Sequence, residues 1–218
     1  MIASMVAAAL VAVAPAPEGG AEGWETIATD PVLIKTRSVP GSSVKEVWAE
    51  AEIAAPALDV QSALTDADHF REFMPYVKES RTLGHPQPDG SQYVYTRLDF
   101  GSLITSRDYV VRVRIERSIG PDGIGEFHNR WVAEPDRIPS RAHVIRLRVN
   151  EGSWQVVPRG PNKSFARYRF MVDPGGWIPA FAANAGNKQG VTNTFKSVEG
   201  EAQRRSVIRR QANESARR

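Results

Sequence analysis

The stretch Arg107-Asp108-Tyr109-Val110-Val111-Arg112-Val113-Arg114-Ile115-Glu116-Arg117 decides how this 218-residue chain is read. Tyr109, Val111, Val113 and Ile115 alternate with Asp108, Arg112, Arg114 and Glu116; Val110 breaks the pattern. A period of two places successive side chains on opposite faces of a strand, so one face is apolar and the other charged. The same alternation recurs outward from this segment. Val44–Ile53 sets Val47, Ala49, Ala51 and Ile53 against Glu46, Trp48, Glu50 and Glu52. His143–Val149 sets Ile145, Leu147 and Val149 against Arg146 and Arg148, and Ser164–Val172 sets Ala166, Tyr168, Phe170 and Val172 against Arg167 and Arg169. Ser91–Leu98 and Glu126–Val132 are further strands, with turn-rich clusters at Pro86–Gly90, Gly120–Gly125 and Pro158–Asn162 between them. Strands joined by tight turns predict an antiparallel sheet with one wet face.

Two stretches carry helical spacing instead. Pro56–Met74 places Leu58, Val60, Ala63, Leu64, Ala67, Phe70 and Phe73 as two short helices, with Thr65-Asp66 as the break and Asp66 as an N-cap. From Trp177 to about Arg210, Phe181, Ala185, Val191, Phe195, Val198 and Ala202 form one apolar face. Ala182, Gly186 and Gly190 lie at intervals of four on a neighbouring face, which thins the helix along a line and suits it to close packing or to bending. Strands, two short helices, more strands and a long last helix fit a curved antiparallel sheet wrapped around that helix. Such a grip leaves room for a cavity lined by apolar strand faces.

Composition narrows the chemistry. Hydrophobic residues make up 41% of the chain and charged residues 24%, which suits a single globular domain. With no cysteine, disulfides, thiol catalysis and cysteine-held metals are excluded. The net charge of +3 is too small to make nucleic acid the default partner, and the arginines of the wet strand faces (Arg112, Arg114, Arg146, Arg148, Arg167, Arg169) have Glu46, Glu50, Glu52, Asp108 and Glu116 as cross-strand partners. The basic excess is local: between Lys188 and Arg218 eight basic residues face three acidic ones. That end suits a solvated helix terminus or transient contact with an anionic membrane surface. At the other end, Met1–Ala14 is apolar, too short to span a bilayer, and followed by small-residue cleavage spacings at Ala12-Val13-Ala14 and Ala14-Pro15-Ala16. The expected organisation is therefore a signal peptide and linker over 1–22, a binding domain over 23–210 and a basic tail over 211–218, in a monomeric periplasmic or secreted protein.

Thr105-Ser106-Arg107-Asp108-Tyr109-Val110-Val111 resembles the Arg-Asp-aromatic strand of the START family, the lipid-transfer domains related to the steroidogenic regulatory protein. Asp173-Pro174-Gly175-Gly176-Trp177-Ile178-Pro179 resembles the Gly-Trp-aliphatic-Pro start of that family's final helix, and Gly190 to Ala202 its continuation. Gly23-Trp24, Val44 to Ala51 and Phe70-Arg71-Glu72-Phe73-Met74-Pro75 follow in the family's order, so the resemblance spans about 24–208. It implies an α+β helix-grip fold with an internal cavity for one lipid, covered by the last helix and by the loop Asp99–Ile104. In that loop Gly101 confers freedom, and Leu103 and Ile104 either meet a membrane or close the core. Sterol-carrying relatives place a buried acid–base pair where Val94 and Val113 stand here. This departure favours a ligand with an apolar body and at most one anchored polar head.

The inward positions supply the expected lining. They are Val94 and Leu98; Arg107, Tyr109, Val111 and Val113; Trp131; Leu147 and Val149; Tyr168 and Phe170; and Phe181, Ala185 and Phe195 of the last helix. Arg107 shares the inward parity, so it must be paired, either by protein groups or by a ligand head. An enzyme, cyclase-like or hydrolase, is the alternative use of such a cavity. It finds little support in the residues: His69, His85, His128 and His143 lack metal-ligand spacing, and there is no nucleophile elbow or phosphate loop. No catalytic residue, metal or cofactor is expected; the partner is a lipid or other apolar small molecule.

Overall fold

The computed structural model describes residues 23–42, 44–102, 104–176 and 180–216, with 180–187 described through their backbone alone. Ten strands form one sheet: β1 (Trp24–Ala28), β2 (Leu33–Ser38), β3 (Lys45–Ile53), β4 (Val77–Leu83), β5 (Gln92–Leu98), β6 (Arg107–Arg117), β7 (Phe127–Ala133), β8 (Ile145–Arg146), β9 (Asn150–Gly160) and β10 (Lys163–Val172). Helix α1 (Ala57–Thr65), a 3-10 turn (Ala67–His69) and α2 (Phe70–Phe73) lie between β3 and β4, and α3 (Ala180–Ser215) ends the fold. The strand order is β1-β2-β3-β10-β9-β7-β6-β5-β4, antiparallel throughout, with β8 added in parallel to the start of β6. This is the α+β helix-grip arrangement, a sheet wrapped around a long C-terminal helix.

Strand alternation translates directly into the core. Val47, Ala49 and Ile53 of β3, Val156 of β9 and Ala166 of β10 are buried against Val60 and Leu64 of α1 and against Val191, Phe195, Val198 and Ala202 of α3. These four residues are the apolar face that the spacing of the last helix predicts. α3 runs on to Ser215, past the expected end near Arg210. No helix among the described residues is long and apolar enough to cross a membrane.

Several local expectations are corrected. His143–Val149 is not a full strand: pairing is confined to Ile145 and Arg146, because β8 occupies only the short edge of β6 that β7 leaves open. His143 lies in a turn with φ of 60°. Pro158–Asn162 is not wholly a turn, since β9 runs through Pro158 to Gly160, beyond the last β7 pairing at Phe127↔Val156, and the turn follows it. Asp66 does not cap a helix with its side chain; its carboxylate instead accepts hydrogen bonds from His69 and from Arg205 of α3.

The outer face is only partly wet. Arg167 pairs with Glu50 at 3.2 Å, Lys163 with Glu52 at 2.6 Å, and both Arg37 and Arg169 with Glu46. Asp108 and Arg146, read from parity as solvated, form a buried pair instead: their side chains are 0% and 5% exposed and 2.8 Å apart. The segment after β7 folds back over them, and its Pro135 and Ile138 carbonyls accept from the same guanidinium.

Candidate functional site

Register aligns the inward residues into rows across the sheet. Val94 of β5 faces Val111 of β6, which faces Ala133 of β7. Val113 faces Trp131, Trp131 faces Gly152 of β9, and Gly152 faces Phe170 of β10. Trp154 of β9 faces Tyr168, and Tyr168 faces Ala49. The rows meet in two buried groups that share Trp131, one around Trp154 and α3, the other around Ala67, Val94 and Val111.

Aromatic rings dominate the junction. Trp154 and Tyr168 stack with centroids 4.2 Å apart, Tyr168 and Phe170 stack at 4.5 Å, Trp131 lies 6.0 Å from Tyr168, and Phe195 of α3 lies 5.3 Å from Trp154. This close array depends on Gly152. A Cβ there would stand 2.4 Å from the Trp131 ring and 2.3 Å from the Arg169 carbonyl oxygen. The Trp131 indole N–H donates to Asn150 Oδ1 at 3.0 Å. Tyr109, Val113, Trp131, Tyr168 and Phe170 are only half-buried although they belong to the inward rows. Burial pushes the phenols of Tyr109 and Tyr168 well up, so both stay neutral hydrogen-bond donors across the physiological range.

Arg107 is 2% exposed. Its guanidinium donates to the carbonyls of Thr105, Pro174 and Gly175, the last two at 3.3 Å. Desolvation lowers its pKa from the ordinary arginine value. The arginine thus ties the start of β6 to the Asp173–Gly176 turn that precedes α3. In that turn Gly175 and Gly176 have φ of 59° and 63° and pack under Ile145. Of the two uses expected for Arg107, the protein-held one is built from these carbonyls.

The other expected residues are distributed as follows. Val94, Val111 and Leu147 are buried, and Leu98 and Val149 half-buried. Phe195 is buried in the core, while the Phe181 and Ala185 side chains lie outside the described residues, as do Gly186, Leu103 and Trp177-Ile178-Pro179. Trp154, Thr96 and Asn150 join the inward set without having been anticipated. Trp154 and Asn150 belong to β9, whose Gly and Pro obscure any alternation. The loop Asp99–Ile104 presents Phe100, 37% exposed, in tilted ring contact with Tyr76, 45% exposed, at 5.1 Å between centroids. A surface depression of about 440 Å³ among Arg37, Glu46, Arg169 and Met171 is a separate feature, and both of its arginines pair with Glu46. No cluster of His, Asp and Glu fit to hold a metal occurs among the described residues.

No protein-family model matches the chain. An uncharacterised protein of Pseudomonas aeruginosa is 27% identical over 186 residues, covering 85% of this chain and 89% of the relative. The phosphatidylcholine transfer protein of Mus musculus is 26% identical over 154 residues, 70% of each chain. Among solved structures, the STAR-related lipid transfer protein of Xanthomonas axonopodis superposes with a TM-score of 0.69 at 28% identity, covering 84% of this chain and 99% of that one. In sequence and in fold the chain resembles the START-domain lipid transfer proteins. Its Arg-Asp strand is β6, its grip helix is α3, and the inward aromatic rows occupy the space between them. The relatives named for an activity are lipid transfer proteins.

Proposed function

We propose that this domain encloses one lipid, or a similar apolar molecule, in a cavity between the concave sheet face and α3, for transfer or sensing. The observation that carries the reading is the half-buried state of Tyr109, Trp131, Tyr168 and Phe170. Rings that turn inward and still keep accessible surface are what the wall of an internal space presents. Transferring roughly 200 Å² of apolar ligand surface to that wall supplies about 5 kcal/mol before association costs. Phosphatidylcholine is the first ligand to test, because the mouse relative is named for its transfer.

The same interior supports binding without catalysis. Its buried cation is committed to backbone carbonyls, and its phenols are held neutral. Transient membrane contact belongs to the proposal through the exposed Tyr76–Phe100 pair, since aromatic rings favour the bilayer interface. The basic end of α3 supports that contact less than its charge suggests: Arg204 and Arg205 pair with Glu201, and Arg209 with Asp59. Opening would combine movement of the Asp99–Ile104 loop with bending of α3 near Gly190, where an added Cβ would meet no neighbouring group. Export rests on the apolar segment 1–14, which lies outside the described residues.

Native mass spectrometry of the protein purified from its own cells tests the reading. The expected result is a lipid-mass adduct, lost on delipidation and regained from phosphatidylcholine vesicles. Protein that stays unliganded as isolated, and after incubation with phosphatidylcholine and cholesterol vesicles, overturns it.

A further inference from the structure

On the outer face of β4 and β5 three arginines share one carboxylate. Register sets Glu79 opposite Arg97 and Arg81 opposite Tyr95, and the chain after β7 brings Arg141 to the same place. Arg141 takes both Glu79 oxygens, at 2.8 and 3.1 Å. Arg81 and Arg97 stand 3.6 and 3.7 Å from that carboxylate, beyond hydrogen-bond reach. The buried Arg97 Nε has no hydrogen-bond partner among the described residues. The Tyr95 ring is the floor of the cluster. It is buried, the Arg81 and Arg141 guanidinia lie 5.2 and 5.3 Å from its centroid, and its hydroxyl is tied to Asp108. The neighbouring acids are already matched: Asp108 pairs with Arg146, Asp136 with Arg148 and Glu134 with Arg112, while Arg137 adds a cation over Tyr93. Three guanidinia against one carboxylate leave an excess of two positive charges, with the Arg81 and Arg141 side chains about half-exposed.

The place of the cluster points to what it meets. The next pair along the ladder, Val77↔Leu98, leads directly to Tyr76 and to the Asp99–Ile104 loop with Phe100. Arg97 and Phe100 are three residues apart, about 10 Å along an extended chain. Asp99, between them, accepts from the Gly101 N–H. Rings seated at a bilayer interface would hold these guanidinia at the level of the lipid phosphates. We propose that Arg81, Arg97 and Arg141, over the Tyr95 ring on the outer face of the sheet, hold the phosphate of an anionic phospholipid headgroup when Tyr76 and Phe100 meet a membrane. This rests on the membrane contact of that aromatic pair and not on what the cavity holds. A guanidinium fork matches two phosphate oxygens, and two surplus charges match a phosphate monoester. The choline of phosphatidylcholine cancels the charge of its own phosphate; phosphatidic acid has no such group.

Co-sedimentation with phosphatidylcholine vesicles, with and without a minor fraction of phosphatidic acid, tests the assignment. The wild type should bind the anionic vesicles more tightly. Arg81→Gln combined with Arg97→Gln should weaken that binding about tenfold and leave binding to pure phosphatidylcholine unchanged. The basic end of α3 is intact in this variant, so a retained preference assigns the charge effect to that end and overturns the inference. A wild type that binds both vesicles equally also overturns it but leaves the aromatic contact standing; one that binds neither removes that contact as well. A measurement on the wild type guards against a variant that fails to fold. Phosphatidic acid vesicles should slow phenylglyoxal modification of Arg81 and Arg97, mapped by mass spectrometry, and phosphatidylcholine vesicles should not. Equal modification with both vesicles overturns the inference. So does equal protection by glycerol 3-phosphate free in solution at the same concentration, which would make the ligand a soluble phosphate.

Discussion

Single residues on both faces of the sheet carry roles that parity alone misassigns. Asp108 and Arg146 belong to the charged face of their segments, yet they are bonded to each other twice, at 2.8 and 3.0 Å, and Asp108 also accepts from the Tyr95 hydroxyl at 3.3 Å. Removing one partner leaves the other charge buried and unpaired. Arg146→Ala should therefore lower the unfolding free energy by about 3–5 kcal/mol in urea titrations, while the double replacement Asp108→Leu with Arg146→Met costs much less. A single-variant loss under about 1 kcal/mol would mean that the pair is solvated. On the inner face the sensitive residue is Gly152. Gly152→Ala drives a methyl into the Trp131 ring and the Arg169 carbonyl, and should cost about 1–3 kcal/mol and alter the near-UV circular dichroism of the tryptophans. An unchanged spectrum and melting point would show that Trp131 is not packed as described.

At the scale of elements, α3 is anchored by charged side chains. Its later turns are clamped to α1 and to the chain before it. Arg205 reaches Asp66 at 2.7 Å and Ser62, Arg209 reaches Asp59 at 2.8 Å, and Glu199 accepts from the Ala54 N–H at 2.8 Å. Hydrogen bonds from Arg204 hold the Glu201 carboxyl below its ordinary value, with burial opposing and Arg205 reinforcing. For Asp66 burial acts upward, but bonds from His69 and Arg205 outweigh it. Both carboxylates are more acidic in the folded state, so their contribution is complete above the ordinary carboxylate range and is lost as pH falls through the depressed values. Hydrogen-exchange protection over 199–212 should accordingly drop on acidification below about pH 4, ahead of β10. Simultaneous loss in both elements would deny that the clamp is local.

At the scale of the whole molecule, much of the fold is legible from the chain. The period of two in β3, β6 and β10 and the helical spacing of Val191, Phe195, Val198 and Ala202 are local consequences of which side chains avoid water. The resulting core joins these positions. What was hidden has physical reasons. β9 carries Gly152 and Pro158, whose places are set by a neighbouring indole and by a ladder that ends early, and neither is a local signal. The solvated reading of Arg146 failed because burial on the outer face depends on a loop that returns over it.

The sequence by itself determined the strand and helix faces, the absence of cysteine chemistry, and the two motifs that resemble the START family. Each of these is a property of neighbours along the chain. Tertiary structure alone decided that Arg107 is bound to the carbonyls of a turn distant in sequence, that Asp108 is buried, and that Tyr168 stands in an aromatic stack between Trp154 and Phe170. Those facts depend on which distant groups meet, and pairing across a ten-stranded sheet is set by global register rather than by any stretch of residues.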